Sequence, residues 1–403
     1  MPGERVTARP GFSPALVIMA ALLLCATATQ LYAALSWGHE SWQLGDWLIN
    51  YAGGFVRRGL TGTLVQLVSG ATGLQANHVV ILASLACYVL LVLWFLHRCA
   101  GYFPAALVLS CVAMGFPAYQ DSIVRKDCLC LLLFLGCVRA DGGTLPPAGR
   151  FMLVNLLAAL AIFSHEGFAF YALPALAIFV ARDDPRPFLL RGLALLPAAG
   201  CLLLSIVYHG TPEIANAVND SWLPLWQLTN PGNPAVGDPI HAIDALGWSS
   251  GKGLSLSTYL LTSGFYQPAA WAFVYAVSFA LVVLFTGRGE AGIGPKIRIT
   301  ALLLMQLVFV SPLFLLGVDY GRWLFFWVAS SMILHIAGRR APAFFENVIS
   351  RIFERAALQR FFDRVPARDG YLLFFGVPVI WNLHNFLTAS PVARHFEIFR
   401  NWL

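Results

Sequence analysis

The sequence predicts an all-α, polytopic membrane protein with about eleven transmembrane or re-entrant helices and one interfacial helix. Of its 403 residues, 58% are hydrophobic and only 11% are charged, about half the charged share of a soluble domain. The apolar runs 15–35, 78–96 and 299–318 each have the roughly 20 residues that a helix needs to cross a bilayer. We therefore expect residues 1–403 to form a single integral-membrane domain.

The predicted spans are separated by charged breaks. The first apolar run is expected to be a retained helix, because it is longer than the roughly 7–15 residues of a cleavable signal segment. Later spans are predicted to begin near residues 78, 101, 122, 151, 167, 191, 258, 299, 322 and 371. The stretch 151–181 fits one tilted helix or a re-entrant hairpin with His165 and Glu166 at its apex; the hairpin keeps the basic loops on one side.

Three longer segments connect the spans. Residues 37–76 are predicted to be an external loop, in which 59–76 has the apolar spacing of an interfacial helix. Residues 209–257 form a large external loop whose five prolines and six glycines indicate a lid or rim and not a folded domain. Residues 338–369 contain seven arginines and are predicted to be a basic cytoplasmic loop.

The basic residues that flank the spans define an orientation. With a cytoplasmic N-terminus, most Lys and Arg fall in cytoplasmic loops, as is usual in membrane proteins, and the C-terminus lies outside. The net charge of +6 then belongs to the inner membrane face, so we expect contact with membrane lipids and no nucleic-acid partner. The expected location is a plasma membrane, of the bacterial inner-membrane type.

The eight cysteines all lie in or beside apolar runs, where cysteine behaves as a small hydrophobic residue. Their spacing predicts neither a disulfide framework nor a metal site. We find no Walker A sequence and no HExxH motif, so the sequence does not indicate ATP-driven transport or zinc proteolysis.

Five polar clusters, at residues 45–47, 50–59, 121–127, 164–166 and 319–323, fall on the external side of the predicted topology. Ionisable groups at a membrane boundary are costly unless they serve a site. The candidate catalytic residues are Asp46, Glu166 and His165. The candidate substrate- and phosphate-binding residues are Arg57, Arg58, Arg125, Lys126, Asp319, Arg322, Asn50 and Tyr51.

Each candidate has a competing structural interpretation. Arg57 and Arg58 carry guanidinium forks suited to phosphate, or they extend to lipid headgroups. Asp46, between two tryptophans, is either a general base or the N-cap of a helix that begins at Trp47. His165 and Glu166 lie between apolar segments, where an isolated carboxylate would pair or become protonated.

The two remaining clusters also have two interpretations. The acids and bases of the segment 121–127 either neutralise one another, or Arg125 and Lys126 supply further phosphate ligands. Asp319 and Arg322 are three residues apart, the spacing of an ion pair within one helix turn.

An apolar first helix, an external loop that carries Asp46, an interfacial helix and many further spans resemble the GT-C superfamily of glycosyltransferases. The external loops with Arg57, Arg58 and Arg322 also resemble Wzy-type and EpsG-type polysaccharide polymerases. The resemblance implies a polyprenyl-phosphate-linked sugar as donor, a glycan or lipid as acceptor, and Asp46 as the base. Asp46 has no adjacent acidic residue, unlike many GT-C enzymes, so a divalent metal is unsupported and no other cofactor is implied.

We therefore expect a membrane glycosyltransferase or polysaccharide polymerase that acts at the external, periplasmic face. A flippase or secondary transporter for lipid-linked glycans is the first alternative, in which Asp319, Arg322, His165 and Glu166 would gate a polar path. A membrane acyltransferase with His165 as base is the second.

Overall fold

The computed structural model describes residues 13–36, 41–179, 192–224, 239, 241–263, 267–287, 293–317, 319–355, 364–377 and 390–395. Every regular element within these ranges is a helix, and none is a strand. The all-helical prediction is therefore confirmed for the described part of the chain.

The helices are numbered in chain order. The first half contains α1 (Pro14–Ser36), α2 (Trp42–Leu48), α3 (Gly59–Thr72), α4 (Ala76–Arg98), α5 (Ala105–Leu109), α6 (Phe116–Tyr119), α7 (Asp127–Asp141), α8 (Pro147–Ser164) and α9 (Phe168–Phe179). The second half contains α10 (Leu196–Val207), α11 (Pro212–Asp220), α12 (His241–Asp244), α13 (Ser250–Thr262), α14 (Pro268–Phe285), α15 (Gly294–Val310), α16 (Leu313–Leu316), α17 (Tyr320–Ile336), α18 (Ala343–Phe353) and α19 (Gly370–Phe374). Two 3₁₀ turns, Leu193–Leu195 and Ala245–Gly247, precede α10 and follow α12.

Among the described residues, five helical segments are long and apolar enough to cross a membrane: α1, α4, α8, α14, and α15 with α16. A sixth is obtained if the segment Leu193–Val207 and helix α11, which meet at 97°, count as one span. These helices support a membrane-embedded protein, whereas the count of about eleven spans remains a prediction.

Two predicted spans have a different form in the structure. The span predicted from residue 101 is two short helices, α5 and α6, in a stretch that is buried from Ala106 to Tyr119. The span predicted from residue 258 is divided between α13 and α14, and the second helix starts at Pro268. Proline lacks an N–H group and is therefore favoured in the first turn of a helix.

Helix α17 lies at the centre of the bundle, since almost every residue from Tyr320 to Ile336 is buried. The indole Nε1 of Trp327 donates to the Leu303 carbonyl of α15 at 2.6 Å. The Trp327 ring also stacks on Tyr275 of α14, with ring centroids 5.2 Å apart. This packing fixes the first turn of α17, which carries Arg322.

The first loop contains two short helices. Helix α3 carries exposed apolar residues, Leu64, Leu67 and Val68, on one face and small buried residues on the other. Gly62 faces the chain before α3: a Cβ there would lie 2.2 Å from the Ile49 carbonyl oxygen. The small residue allows α3 to pack directly on the end of α2.

The segment 209–257 contains α11, α12 and the start of α13 around residues 225–238 and 240, which lie outside the described residues. Trp222 is fully buried, and its indole Nε1 donates to the Leu48 carbonyl at 2.8 Å. The described part of this segment is therefore packed against the first loop.

Candidate functional site

A cavity of about 250 Å³ lies where the N-terminal ends of α7 and α17 meet α2 and the connection between α8 and α9. Seven of the eleven candidate site residues line this cavity. The lining residues are Trp42, Asp46, Arg58, Arg125, His165, Glu166, Gly167, Phe170, Ala242, Leu313, Leu316, Gly317, Asp319, Arg322 and Trp323.

Arg58 is at the centre of the carboxylate network on one side of the cavity. Its Nε and Nη2 donate to the two carboxylate oxygens of Glu166 at 2.7 and 2.5 Å, and its Nη1 donates to Oδ1 of Asp46 at 2.9 Å. One guanidinium thus holds two carboxylates, one of them through a bidentate contact.

The backbone at Arg58 is in the left-handed region, with φ = 65°. This conformation is unfavourable for a residue with a Cβ and persists where the surrounding structure imposes it. Helix α3 begins immediately afterwards, at Gly59, where a Cβ would lie 2.2 Å from the Tyr51 ring. The close approach of Tyr51 and α3 therefore fixes the chain that presents Arg58.

Asp46 lies inside α2 and not at its start. Ser41 is the N-cap of this helix, because its Oγ accepts a hydrogen bond from the Leu44 amide at 3.1 Å. The alternative in which Asp46 caps a helix is therefore wrong. Its Oδ2 faces Nζ of the fully buried Lys126 at 3.6 Å, and Lys126 also donates to the Ser164 carbonyl at 3.0 Å.

Arg322 organises the other side of the cavity. Its Nε and Nη2 donate to the Asp127 carboxylate at 2.9 and 2.5 Å, and its Nη1 donates to Asp319 at 2.8 Å. Arg125 lies 3.8 Å from the same Asp319 carboxylate. The expected pair between Asp319 and Arg322 is present, but the buried Asp127 carries the bidentate contact.

The charges of the segment 121–127 form their ion pairs outside the segment. Asp127 pairs with Arg322, Lys126 with Asp46, and Arg125 with Asp319. Asp121 accepts from Arg394 at 2.6 Å and from the Gln30 side chain of α1. Mutual neutralisation within this segment is therefore not what the structure shows.

His165 is buried beside Arg322, and the backbone amide of Gly167 orients its ring. Its Nδ1 accepts a hydrogen bond from the Gly167 amide at 3.0 Å, so the neutral imidazole carries its proton on Nε2. Nε2 lies 3.3 Å from Nη2 of Arg322, which is also a donor. Two donors thus face each other, and an anionic oxygen between them would accept from both.

The site carries an excess of positive charge. Its four carboxylates, from Asp46, Asp127, Glu166 and Asp319, face five cations, from Arg57, Arg58, Arg125, Lys126 and Arg322. With a neutral His165 the cluster carries a net charge of +1. This balance favours a ligand with negative charge.

The pKa shifts follow from burial and from these pairs. Burial alone would raise the pKa of Asp46 and of Glu166. The positive charges of Lys126 and Arg58 outweigh burial at Asp46, and Arg58 outweighs it at Glu166. Both pKa values therefore lie well below their usual range. Burial, with Arg58 nearby, lowers the pKa of His165 to about 3. Burial lowers the pKa of Lys126 to about 8 against the attraction of Asp46. The histidine is therefore neutral and the carboxylates are anionic near neutral pH.

Four of the candidate residues do not line the cavity. The Asn50 amide donates to Ser221 Oγ at 2.8 Å, while its carbonyl accepts from the Ala52 amide at 2.9 Å. The Tyr51 ring stacks on Phe55 at 5.5 Å. Lys126 is fully buried behind Asp46, and Arg57 lies 3.8 Å from Glu166. Asn50 and Tyr51 thus stabilise the first loop, and Lys126 stabilises the Asp46 carboxylate.

Among the residues that line or support the cavity, Asp127, Phe170 and Trp323 were not candidates from the sequence. Trp323 Nε1 is buried without a hydrogen-bond partner among the described residues. A tryptophan next to Arg322 in the first turn of a buried helix was the available signal, since indole N–H groups require an acceptor when buried.

Within the described residues no group of three His, Cys, Asp or Glu side chains is arranged to hold a metal ion. Comparison of the chain with protein-family models, with curated proteins and with solved structures finds no match. The function is therefore argued from the site alone.

Proposed function

We propose that this protein is a membrane glycosyltransferase or polysaccharide polymerase that takes its sugar from a polyprenyl-phosphate-linked donor at the external face. One observation carries the proposal. A single cavity is lined by arginine side chains, carboxylates and a tryptophan ring, among them Arg58, Arg125, Arg322, Asp46, Glu166 and Trp323.

The cation side of the cavity suits a phosphate. Guanidinium groups bind phosphate oxygens bidentately, and the net charge of the cluster is +1. His165 Nε2 is a further donor, 3.3 Å from Nη2 of Arg322. A phosphate oxygen that accepts from both groups would stabilise the charge of a leaving phosphate.

The reaction requires one proton acceptor. The acceptor hydroxyl attacks the anomeric carbon, the bond from that carbon to the phosphate oxygen breaks, and its electron pair leaves on the lipid phosphate. The hydroxyl proton passes to Asp46 or to Glu166. Both have low basicity in the free site, Asp46 because of Lys126 and Arg58 and Glu166 because of Arg58. Binding of phosphate to Arg58 would therefore release Glu166 from its main partner and raise its pKa.

The apolar side of the cavity suits a lipid-linked donor. Leu313 and Leu316 of α16 form part of its wall, and Leu316 is 66% exposed. The adjacent Leu315 is 81% exposed. Exposed leucines beside a polar cavity are expected where a lipid chain extends from the site into the bilayer.

The floor of the cavity favours chemistry at one face over passage to the other. Below Arg322, helix α17 continues with Phe325, Phe326 and Trp327, all nearly fully buried. Phe326 stacks on Tyr171 of α9 at 4.8 Å. A flippase or transporter would require a polar path through these packed rings.

The proposal is tested by binding of farnesyl phosphate, a short polyprenyl phosphate, to the purified full-length protein in detergent. We expect thermal stabilisation by farnesyl phosphate but not by farnesol, and roughly ten- to a hundredfold weaker binding in Arg58→Lys, because a hydrogen bond to a charged group contributes about 1.5–3 kcal/mol. Arg340→Lys is the matched control, since Arg340 is exposed and lies outside the cavity.

Turnover is measured with sugar-labelled polyprenyl phosphates extracted from the native host membrane. Label that moves from the lipid to a glycan in the presence of the wild type, but not of Arg322→Lys, would support glycosyl transfer. Equal stabilisation by farnesol and farnesyl phosphate, or unchanged binding in Arg58→Lys, would contradict a phosphate-directed site.

A further inference from the structure

A second cavity lies at the opposite ends of helices that begin at the first one. Helices α7 and α17 start at Asp127 and Tyr320 beside the candidate site, and α4 starts in the same hydrophobic cluster as Trp47 of α2. Their C-terminal ends meet around a cavity of about 410 Å³. With 17 residues in α17, the two cavities are separated by roughly 25 Å along that helix.

The second cavity is lined by three arginines and by no acidic residue: Arg98 from α4, Arg139 from α7 and Arg339 after α17. Its volume falls in the range of roughly 300–1,000 Å³ that is usual for small-molecule sites. Trp94 and the glycines Gly142 and Gly143 complete much of the wall. The composition therefore differs from that of the first cavity, where acids and bases alternate.

Arg339 is the fixed member of this group. Its Nη2 donates to Oδ2 of Asp141 at 2.7 Å and to the Val138 carbonyl at 3.2 Å. The Arg339 side chain is only 13% exposed. The guanidinium is thus oriented before any ligand arrives, which reduces the entropy lost when one binds.

Arg98 and Arg139 are available for a ligand. Both are exposed, and neither makes an ion pair within the part of the chain that the structure describes. Two guanidinium forks without ion pairs thus line one space whose wall carries no acidic side chain.

We propose that this second cavity is a phosphate-binding site, in which Arg98 and Arg139 close on the phosphate and Arg339 positions it. The phosphate belongs either to an anionic lipid headgroup or to a free phosphate compound, because both offer the same acceptor oxygens to arginine forks. The site is independent of the proposed transfer reaction, since it shares no residue with the first cavity.

The alternative role for these arginines is to complement the negative ends of the helix dipoles, which needs no ligand. That role predicts no effect of phosphate on the protein. The two roles are therefore separated by a binding measurement.

The experiment uses the full-length protein in detergent with phosphatidic acid and, separately, inorganic phosphate as probes. Lipid retention is measured by native mass spectrometry and protection by thermal unfolding, with phosphatidylcholine as the neutral reference lipid. The test variant is Arg98→Gln with Arg139→Gln; Arg339 is left intact because it forms an ion pair with the buried Asp141. The matched control is Arg340→Gln with Arg351→Gln, two exposed arginines that lie outside the cavity.

We expect the wild type and the control to retain phosphatidic acid in preference to phosphatidylcholine. The test variant should bind phosphatidic acid at least about tenfold more weakly, as expected for lost hydrogen bonds to a charged group. Protection by inorganic phosphate that is lost in the test variant, without retention of phosphatidic acid, would assign the site to a free phosphate compound. Binding that is equal in the wild type and the test variant, or absent for both probes, would overturn the proposal. Loss of farnesyl phosphate binding at the first cavity would leave this result unaffected.

Discussion

Arg58 donates to Glu166, 108 residues away, through both arms of its guanidinium, and to Asp46 through the third nitrogen. The Arg58 side chain is 26% exposed and that of Asp46 is 9% exposed. Breaking a buried ion pair by removal of one partner leaves an uncompensated charge, which typically costs about 3–5 kcal/mol. The same arginine therefore contributes to stability and lines the cavity.

The neighbouring arginines Arg57 and Arg58 are expected to differ. Arg58→Lys should lower the unfolding temperature and weaken farnesyl phosphate binding, because an ammonium cannot replace three directed contacts. Arg57→Lys should have a smaller effect, since Arg57 is 31% exposed and its nearest carboxylate oxygen is 3.8 Å away. Both quantities are measured on the two purified variants; a larger loss in Arg57→Lys would reverse the assignment.

Asp46→Asn tests the base. If Asp46 accepts the hydroxyl proton, this variant should lose roughly 10² to 10⁴ in transfer rate, while the protein still inserts because Asn retains an oxygen for Arg58. The rate of label transfer is compared with the amount of protein in the membrane. Full activity in Asp46→Asn together with lost activity in Glu166→Gln would assign the base role to Glu166. Full activity in both variants would argue against a carboxylate base.

The stability of the protein is expected to fall in acid. The pKa of Glu166 is lower in the folded protein than its usual value of 4.5, so the unfolded chain binds this proton more tightly. The stability that the carboxylate contributes is fully present above about pH 4.5 and is lost as the pH falls below that value.

This pH dependence is measured as the unfolding temperature of the wild type and of Glu166→Gln in detergent, from neutral pH downward. Glu166→Gln should be less stable than the wild type at neutral pH and should show a shallower fall in acid, since one linked proton is missing. Glu354→Gln is the control, because Glu354 is exposed and lies outside the cluster. Equal acid slopes in the wild type and Glu166→Gln would show that Arg58 does not stabilise this carboxylate.

Substitutions of Arg322 and Asp127 test whether this ion pair is needed for stability, for ligand binding or for both. Asp127→Leu alone should destabilise the protein by about 3–5 kcal/mol, because Arg322 remains buried without its bidentate partner. Combining it with Arg322→Met should restore much of that stability, as apolar replacements of buried ion pairs often do. The double variant should nevertheless fail to bind farnesyl phosphate. Normal binding by the stable double variant would remove Arg322 from the ligand site.

The orientation in the membrane is tested by labelling in a cysteine-depleted background. A cysteine at Lys252, whose side chain is 57% exposed, should react with an impermeant maleimide added outside intact cells. A cysteine at Arg340, exposed at the other end of the bundle, should react only after permeabilisation. The opposite pattern would place the candidate site in the cytoplasm and contradict the positive-inside orientation.

The sequence by itself determined the membrane class and the polar clusters, because both depend on local composition. Long apolar runs predict helices wherever they occur, and Asp46, Arg58, Glu166 and Arg322 are conspicuous against an apolar background. The tendency of Asp319 to pair with Arg322 was also visible, since a spacing of three residues brings side chains together on one helix face.

Only the tertiary structure decided which charges pair across the bundle and which residues face the cavity. Arg322 and Asp127 are 195 residues apart, and their contact depends on how α17 packs against α7. Asn50, expected beside a ligand, instead binds Ser221, because helix α11 brings that hydroxyl to the first loop. Coulomb attraction and hydrogen bonding act over a few ångströms, so the partners of a buried polar group are set by packing between distant segments, which no local pattern encodes.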